Sequence, residues 1–375
     1  MIRRRGNSFE IRVYAGTDAT GRKQHFYATV QGTGRKAERE AKQKEGELLA
    51  KAAAGRVPTG ALTFDQLADE WLAVARHEKS TRYQTELFLD RHVRPVLGKK
   101  RIEKIGPADL NRMYPALEAG SADRQALAPS TVVRIHGIIR ACFQLAVTND
   151  WIATNPAARA RPPRQVQKVP ESPDVESVKA MLSTAYKTDK EMYAFLRLAS
   201  ATGLRRGSIC GLRWPDLDLT RGTLLHQRAI GMGKGAPYEK STKSGASHTI
   251  ALDRDTVTIL RWHRLRMLAR SNELGGLDSD GYLFSADPTC SGPWRPDHAS
   301  KRFRKVTDTA GVEGQLRDLR NFHATLLLDD GFDIKTVSGR LTHARTSTTQ
   351  DRYQARLPAT DRRAAEHVGE KLRRR

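Results

Sequence analysis

Between Thr63 and Val147 the apolar residues recur at intervals of three and four, and proline and glycine interrupt the recurrence at intervals. No other feature constrains the fold as much, because this spacing suits helices that bury one face and does not suit strands. "LTFDQLADEWLAVARHE" opens with Thr63 and Gln66 in capping-box spacing. Its Phe64, Leu67, Ala68, Trp71, Leu72 and Ala75 keep the helical period. "STRYQTELFLDRHVRPVLG" continues in helix until Pro95 and Gly98, and "GPADLNRMYPALEAG" makes a third helix. In the fourth, "APSTVVRIHGIIRACFQLAVTNDW", Val132, Ile135, Ile139, Phe143 and Val147 share one core-facing stripe. Helices with such faces bury them against one another, so residues 62–160 are expected to form a bundle.

The flanks read differently. Residues 1–57 begin with "FEIRVYAG" and "KQHFYATV", which alternate like strands and are joined by the hairpin signal "TDATGR". A charged helix follows and ends at Gly55, and "RVPTGA" is a linker. The first 60 residues carry 13 Lys or Arg against 6 Asp or Glu, which suits either a strand face docked on DNA or a basic sheet edge that resists aggregation. Beyond the bundle, "NPAARARPPRQVQKVPESP" holds five prolines, and every charge from Arg159 to Lys168 is positive. It is expected to be extended, with residues 161–172 as a basic linker or a strap along a polyanion. Residues 173–375 are mainly helical, with one β interruption. "GTLLHQRAI", "APYEKSTKSG" and "SHTIALD" are expected to form a three-stranded meander with Lys243 at its last turn. The fold class is therefore mainly α with small β elements.

Charge narrows the function. Sixty-five Lys and Arg against 42 Asp and Glu give a net charge of +23, which opposes compaction unless a polyanion is the normal partner. Nucleic acid fits best. No membrane partner is expected, since no apolar run reaches the length of a span and no basic amphipathic helix ends in an apolar anchor. The N-terminus is basic but has no apolar h-region. Cys142, Cys210 and Cys290 lie far apart with no CxxC, which points to a reducing cytoplasm rather than a disulfide framework or structural zinc. Without a Walker loop, GxGxxG, HExxH or EF-hand pattern, neither a cofactor nor a metal is expected.

Three blocks carry the chemistry. In "EMYAFLRLASATGLRRGSICGLRWPDLD" the helix breaks at Thr202-Gly203 and a new one begins, which sets Arg205 beside backbone N–H groups where its fork can face an anion. "LRDLRNFHATLLLDDGFD" offers Arg317 and Arg320 one helical turn apart, with His323 read as structural. "VSGRLTHARTSTTQDRYQARL" sets His343 shortly before Tyr353.

In order and spacing these blocks resemble the signature boxes of the tyrosine recombinase (phage integrase) family. The resemblance covers the chain from about Pro173 onward and, more loosely, a helical core-binding domain and a three-stranded arm-binding-like domain. It implies a mixed α/β catalytic domain of that type, with Arg205 and Arg320 clamping the scissile phosphate. It also implies Lys243 as the acid that protonates the leaving 5′ oxygen, His343 as a phosphate contact and Tyr353 as nucleophile. The chemistry is coherent with those roles. Bidentate guanidinium groups stabilise charge that builds on non-bridging oxygens. A lysine supplies the proton that a poor alkoxide leaving group needs. A covalent 3′-phosphotyrosine conserves the bond energy for rejoining.

Two positions depart from the family pattern. Arg317 stands where a histidine is usual, and arginine cannot act as a base; Ser208 stands where an acidic residue is usual. The implied function is site-specific cleavage and rejoining of duplex DNA at core and arm attachment sites, to integrate or excise a mobile element. A homotetramer on DNA and accessory DNA-bending or directionality proteins are implied as well. A catalytically impaired DNA-binding remnant is the alternative, and a type IB topoisomerase is a third reading that the arm-like N-terminus disfavours.

Overall fold

The computed structural model describes residues 1–17, 23–53, 62–121, 125–164, 172–241, 247–272, 276–342, 345–353 and 366. The chain divides into two compact units, Met1–Val166 and Gln167–Arg375.

In the first unit, β1 (Ile2–Arg5), β2 (Ser8–Thr17) and β3 (Lys23–Gln31) form an antiparallel sheet in sequential order. Successive side chains of a strand point to opposite faces. Ile11, Val13 and Val30 therefore bury against Ala37, Ala41 and Leu48 of α1 (Arg35–Ala53), while Tyr14 and Tyr27 stay exposed on the other face. Residues 18–22 of the hairpin signal lie outside the described residues, as do residues 54–61, which include the linker 56–61.

The bundle starts with α2 (Phe64–Val74), whose capping box forms as its spacing predicts. Thr63 N–H donates to Gln66 Oε1 at 2.9 Å, and Gln66 N–H donates to Thr63 Oγ1 at 3.4 Å. After α3 (Lys79–Phe88), the helix widens into a π turn (Leu89–Val93) before α4 (Arg94–Leu97). Pro95 cannot donate to the ladder, so the misfit collects just before it, and the helical run ends at Leu97. Arg94 holds Asp65, Asp69 and Asp90 at 3.2, 2.6 and 3.0 Å, which pins α4 to α2. α5 (Pro107–Ala119) and α6 (Pro129–Thr148) complete the bundle. On α6, Val132, Ile135, Ile139 and Phe143 are buried; Ala146 rather than Val147 closes the stripe. The proline-rich segment is not extended from its start. Asn155 caps a 3-10 turn (Pro156–Arg159) that buries Pro156 and Ala157. Residues 160–164 have no regular structure, and 165–171 lie outside the described residues.

In the second unit α7 (Val175–Thr188) leads into α8 (Lys190–Thr202) and a short α9 (Arg206–Cys210). The β interruption is not the expected meander. β4 (Leu217–Asp218), β5 (Thr223–His226) and β8 (His248–Ala251) form one sheet in the order β4-β5-β8, whereas β6 (Arg228–Met232) pairs with β7 (Pro237–Ser241) in a separate ribbon. The break falls at Gln227. Gln227 Nε2 donates to Asp216 Oδ1 at 2.9 Å and Arg228 Nη1 to Asp216 Oδ2 at 2.6 Å. Two neighbours on one continuous strand point to opposite faces and cannot both reach one buried carboxylate, so the strand splits. Lys243 belongs to 242–246, outside the described residues.

α10 (Arg254–Ser271), α11 (Pro296–Ala310), α12 (Asp318–Asp329), α13 (Ile334–Arg340) and α14 (Thr346–Tyr353) follow. The core is aromatic. Phe195 of α8 lies 5.0 Å from Phe284 and 5.8 Å from Trp294, and His263 of α10 stacks on Phe284 at 5.0 Å. Arg302 of α11 bonds to Asp189 and Glu191 at the start of α8 and lies 4.0 Å over the Trp294 ring.

Candidate active site

The end of α8 organises the site. Gly203 takes a left-handed conformation (φ 64°), and a side chain there would meet Leu341 Cδ2 at 2.8 Å and His323 Cδ2 at 2.9 Å. Glycine is thus required by backbone and by space. A helix end leaves carbonyls without intrahelical partners and carries the negative end of the helix dipole. Side chains from α12 and α13 take those carbonyls. His323 Nδ1 donates to Ser200 O at 3.0 Å, Arg340 Nη2 to Ala201 O at 3.0 Å, and Arg320 Nη1 to Gly203 O at 2.7 Å. Arg320 Nη2 donates to Leu341 O at 2.7 Å, so one planar fork joins two segments far apart in the chain. Arg340 Nε donates to His323 Nε2 at 3.3 Å, which leaves the imidazole proton on Nδ1. Burial, then the charges of Arg340 and Arg320, push the His323 pKa down to about 4. His323 is a neutral brace.

Arg320 is 8% exposed. Arg205 sits in the N-cap position of α9 and is exposed, and Arg317 precedes α12 with 71% of its side chain exposed and Asp318 at 3.7 Å. All three line one cavity of about 750 Å3. Seven cationic side chains and no carboxylate occur among the described residues of its lining, Lys240 of β7 and Arg304 of α11 included. A concavity with that bias concentrates an anion. By contrast, a cavity of about 530 Å3 in the bundle mixes Asp109 with Arg112 among Val96, Met113 and Leu127, and has no such selectivity.

The sequence-predicted residues divide accordingly. Arg205, Arg317 and Arg320 come together. Tyr353 is the last residue of α14, which packs on α13; its side chain lies outside what is described. Lys243 and His343 lie outside the described residues. Ser208 is buried and donates its backbone N–H to Arg205 O at 2.8 Å.

Sequence reasoning missed Lys240, Arg340 and His226. Lys240 reads as one more basic residue of a turn-rich stretch, and Arg340 stands inside the third block without any signal of its own. His226, at the end of β5, sits in alternation with apolar residues and looks like ordinary core. It is 4% exposed, and neither ring nitrogen has a hydrogen-bond partner.

A second basic surface lies on the N-terminal sheet. Arg12, Tyr14, His25 and Tyr27 share its solvent face, with Tyr14 5.5 Å from His25 and the Arg12 guanidinium 5.8 Å over Tyr27. Exposed aromatic rings interleaved with cations suit nucleic acid.

The phage integrase family model matches residues 173–359, and the phage integrase central domain model matches residues 64–162. The chain is similar to a tyrosine recombinase XerC-like protein of Caldanaerobacter subterraneus subsp. tengcongensis, 25% identical with 96% of each chain covered. In fold it resembles the Tn1549 transposon integrase, solved in complex with a circular intermediate DNA (TM-score 0.67, 15% identity, 82% of this chain and 99% of that one). It also resembles a lambda integrase tetramer bound to a Holliday junction (TM-score 0.59, 18% identity, 92% and 93% covered).

Proposed function

Because the chain belongs to the phage integrase family of tyrosine recombinases, we propose that it is a site-specific DNA integrase that cuts and rejoins duplex DNA through Tyr353. The hydroxyl of Tyr353 attacks the scissile phosphorus and forms a 3′-phosphotyrosine, and the 5′ oxygen leaves with a proton from Lys243. The 5′ hydroxyl of another strand then attacks the phosphotyrosine and releases the tyrosine. One phosphoester replaces another at each step, so no nucleotide cofactor is consumed. Arg205 and Arg320 hold the non-bridging oxygens, with His343 as a further contact. Arg317 adds a positive charge that favours the phenolate of Tyr353.

The observation that carries this reading is Arg320. Its guanidinium is buried, aimed by two carbonyls and set on an anion-selective cavity with Arg205 and Arg317. Electrostatic stabilisation of a transition state needs donors held in advance in this way.

Residues 1–57 serve as the arm-type DNA-binding domain, residues 62–160 as the core-binding domain, 161–172 as a basic linker and 173–375 as the catalytic domain. The aromatic-basic face of the N-terminal sheet and the separate apolar cores of sheet and bundle support that division. The working form is a tetramer on two DNA segments, assisted by DNA-bending or directionality proteins, in the cytoplasm. Among the described residues no helix is long and apolar enough to cross a membrane.

A nicked candidate-site duplex traps the intermediate, because the cleaved end diffuses away. The wild-type chain should form a covalent protein–DNA adduct, and Tyr353→Phe should bind DNA but form none. Binding by the wild type without an adduct at any pH would support the remnant reading, to which Arg317 lends weight because it cannot act as a base.

A further inference from the structure

α10 is apolar on two sides. Val257, Leu260 and Met267 are buried in the core, as a surface helix requires. Yet Trp262, Leu265 and Leu268 are 40%, 63% and 41% exposed. Spaced by three, they form one ridge on the solvent side. Exposed apolar residues scattered singly are ordinary, but a ridge headed by a tryptophan marks a contact surface. Tyr186, in the last turn of α7, widens it and is half exposed. The Lys190 ammonium stands 3.3 Å from the Tyr186 ring centre and 5.8 Å from that of Trp262, so the two rings border one patch.

Cations flank the ridge. α10 carries five arginines and one carboxylate, Asp255. Arg266 follows Trp262 by four residues and Arg264 precedes Leu268 by four, so each neighbours the ridge. The Arg266 guanidinium lies 5.3 Å from the Trp262 ring centre, and that of Arg264 lies 5.7 Å from the Trp214 ring centre. A guanidinium over a ring still presents N–H groups at its edge, where a carboxylate binds. We infer that this face of α10 is the docking site for an amphipathic helix of an acidic partner protein. Its apolar stripe packs on Trp262, Leu265 and Leu268, and its carboxylates meet Arg264 and Arg266. Charge selects this occupant over a second copy. A two-fold pairing would set the patch against itself, arginine against arginine, and a net charge of +23 opposes self-association further. Position and chemistry select it over DNA. Lys190 begins α8, whereas the arginine cavity lies past the other end, about 18 Å along the helix axis. The aliphatic side chains of Leu265 and Leu268 also offer a phosphate no donor.

The probe is a synthetic fluorescein-labelled helix with leucines along one stripe and glutamates on both flanks, titrated with the full chain. Two control peptides replace its glutamates by lysine or its leucines by serine. The acidic helix should bind, and each control should bind about tenfold more weakly or worse, because stripe and charge act together. The serine control separates docking from the general attraction of a basic chain for acid. Leu265→Asp should weaken the acidic helix by about tenfold or more. Arg264→Glu combined with Arg266→Glu should transfer the preference to the lysine peptide. The changed residues are exposed, so the Tm should barely move and adduct formation on nicked duplex should be unaltered. Saturating duplex should leave the peptide bound. No binding, equal binding of the acidic and serine peptides, or a Leu265→Asp chain that binds as well as the wild type would each overturn the inference. Displacement by duplex would make the face a DNA contact, and a dimer lost in Leu265→Asp would make it a contact between copies; either result overturns it too. The titration needs no cleavage, so a chain that forms no adduct would sink the integrase reading and leave this test standing.

Discussion

Replacing Arg320 by lysine keeps the charge and removes the fork, which separates what the charge does from what the geometry does. In the native protein, Nη1 and Nη2 reach Gly203 O and Leu341 O, both at 2.7 Å. A lysine ammonium is a single point on a flexible stem and cannot span both carbonyls. At least one charge-assisted bond is lost, worth about 1.5–3 kcal/mol, and a buried carbonyl is left without its donor. The expected destabilisation is about 2–3 kcal/mol, or a Tm fall of about 5 °C or more for a domain of this size. Cleavage should fall by about 100- to 1000-fold, as for other lost transition-state donors. Arg205→Lys is the control: the residue is exposed, so stability should stay within about 0.5 kcal/mol while cleavage falls comparably. Thermal unfolding and adduct formation at saturating nicked duplex measure the two effects. An Arg320→Lys protein as stable as the wild type would refute the claim that the carbonyl fork holds this part of the fold.

Activity should rise toward alkaline pH in the wild type, and Arg317→His should shift that profile toward neutral, since a histidine at this place can accept the tyrosine proton; an unchanged profile would remove Arg317 from the site. Binding to duplex should weaken with salt at a slope of about −0.9 per phosphate neutralised, and deletion of residues 1–55 should abolish affinity for arm sites while sparing core sites. Equal loss at both would refute the division of labour between sheet and bundle. Burial holds the His263 pKa down to about 4 from 6.5, so between those values the unfolded chain binds a proton that the folded one refuses. Stability therefore falls as pH drops through that window, and His263→Gln should remove about 1.4 kcal/mol per pH unit from the slope seen in urea unfolding.

Much of this was legible in the chain. The Thr63 and Gln66 capping box, the α6 stripe and the glycine that ends α8 are local, set by neighbours a few residues away. The arginines were legible through the order and spacing of three blocks that resemble the boxes of a known family. What escaped depends on distant partners. Nothing near Gln227 announces that Asp216, eleven residues earlier, would break its strand. The carbonyl contacts of Arg320 and Arg340 use main-chain atoms that every residue carries, so no sequence pattern marks them. His226 was overlooked because a lone histidine on an alternating strand usually packs, and only its unsatisfied nitrogens set it apart.

The carbonyl fork also bears on how such a chain can drift. The acceptors at 203 and 341 belong to the backbone, so the fully buried Leu341 can exchange for another apolar residue of similar size and still present the same oxygen. Gly203 cannot, because its left-handed turn leaves no room for a side chain. Tolerance at 341 thus extends to apolar residues that fill the same space, and at 203 to glycine alone. Over generations Arg320 and Gly203 should behave as a unit, retained together in active descendants and lost together in those whose cutting function has lapsed.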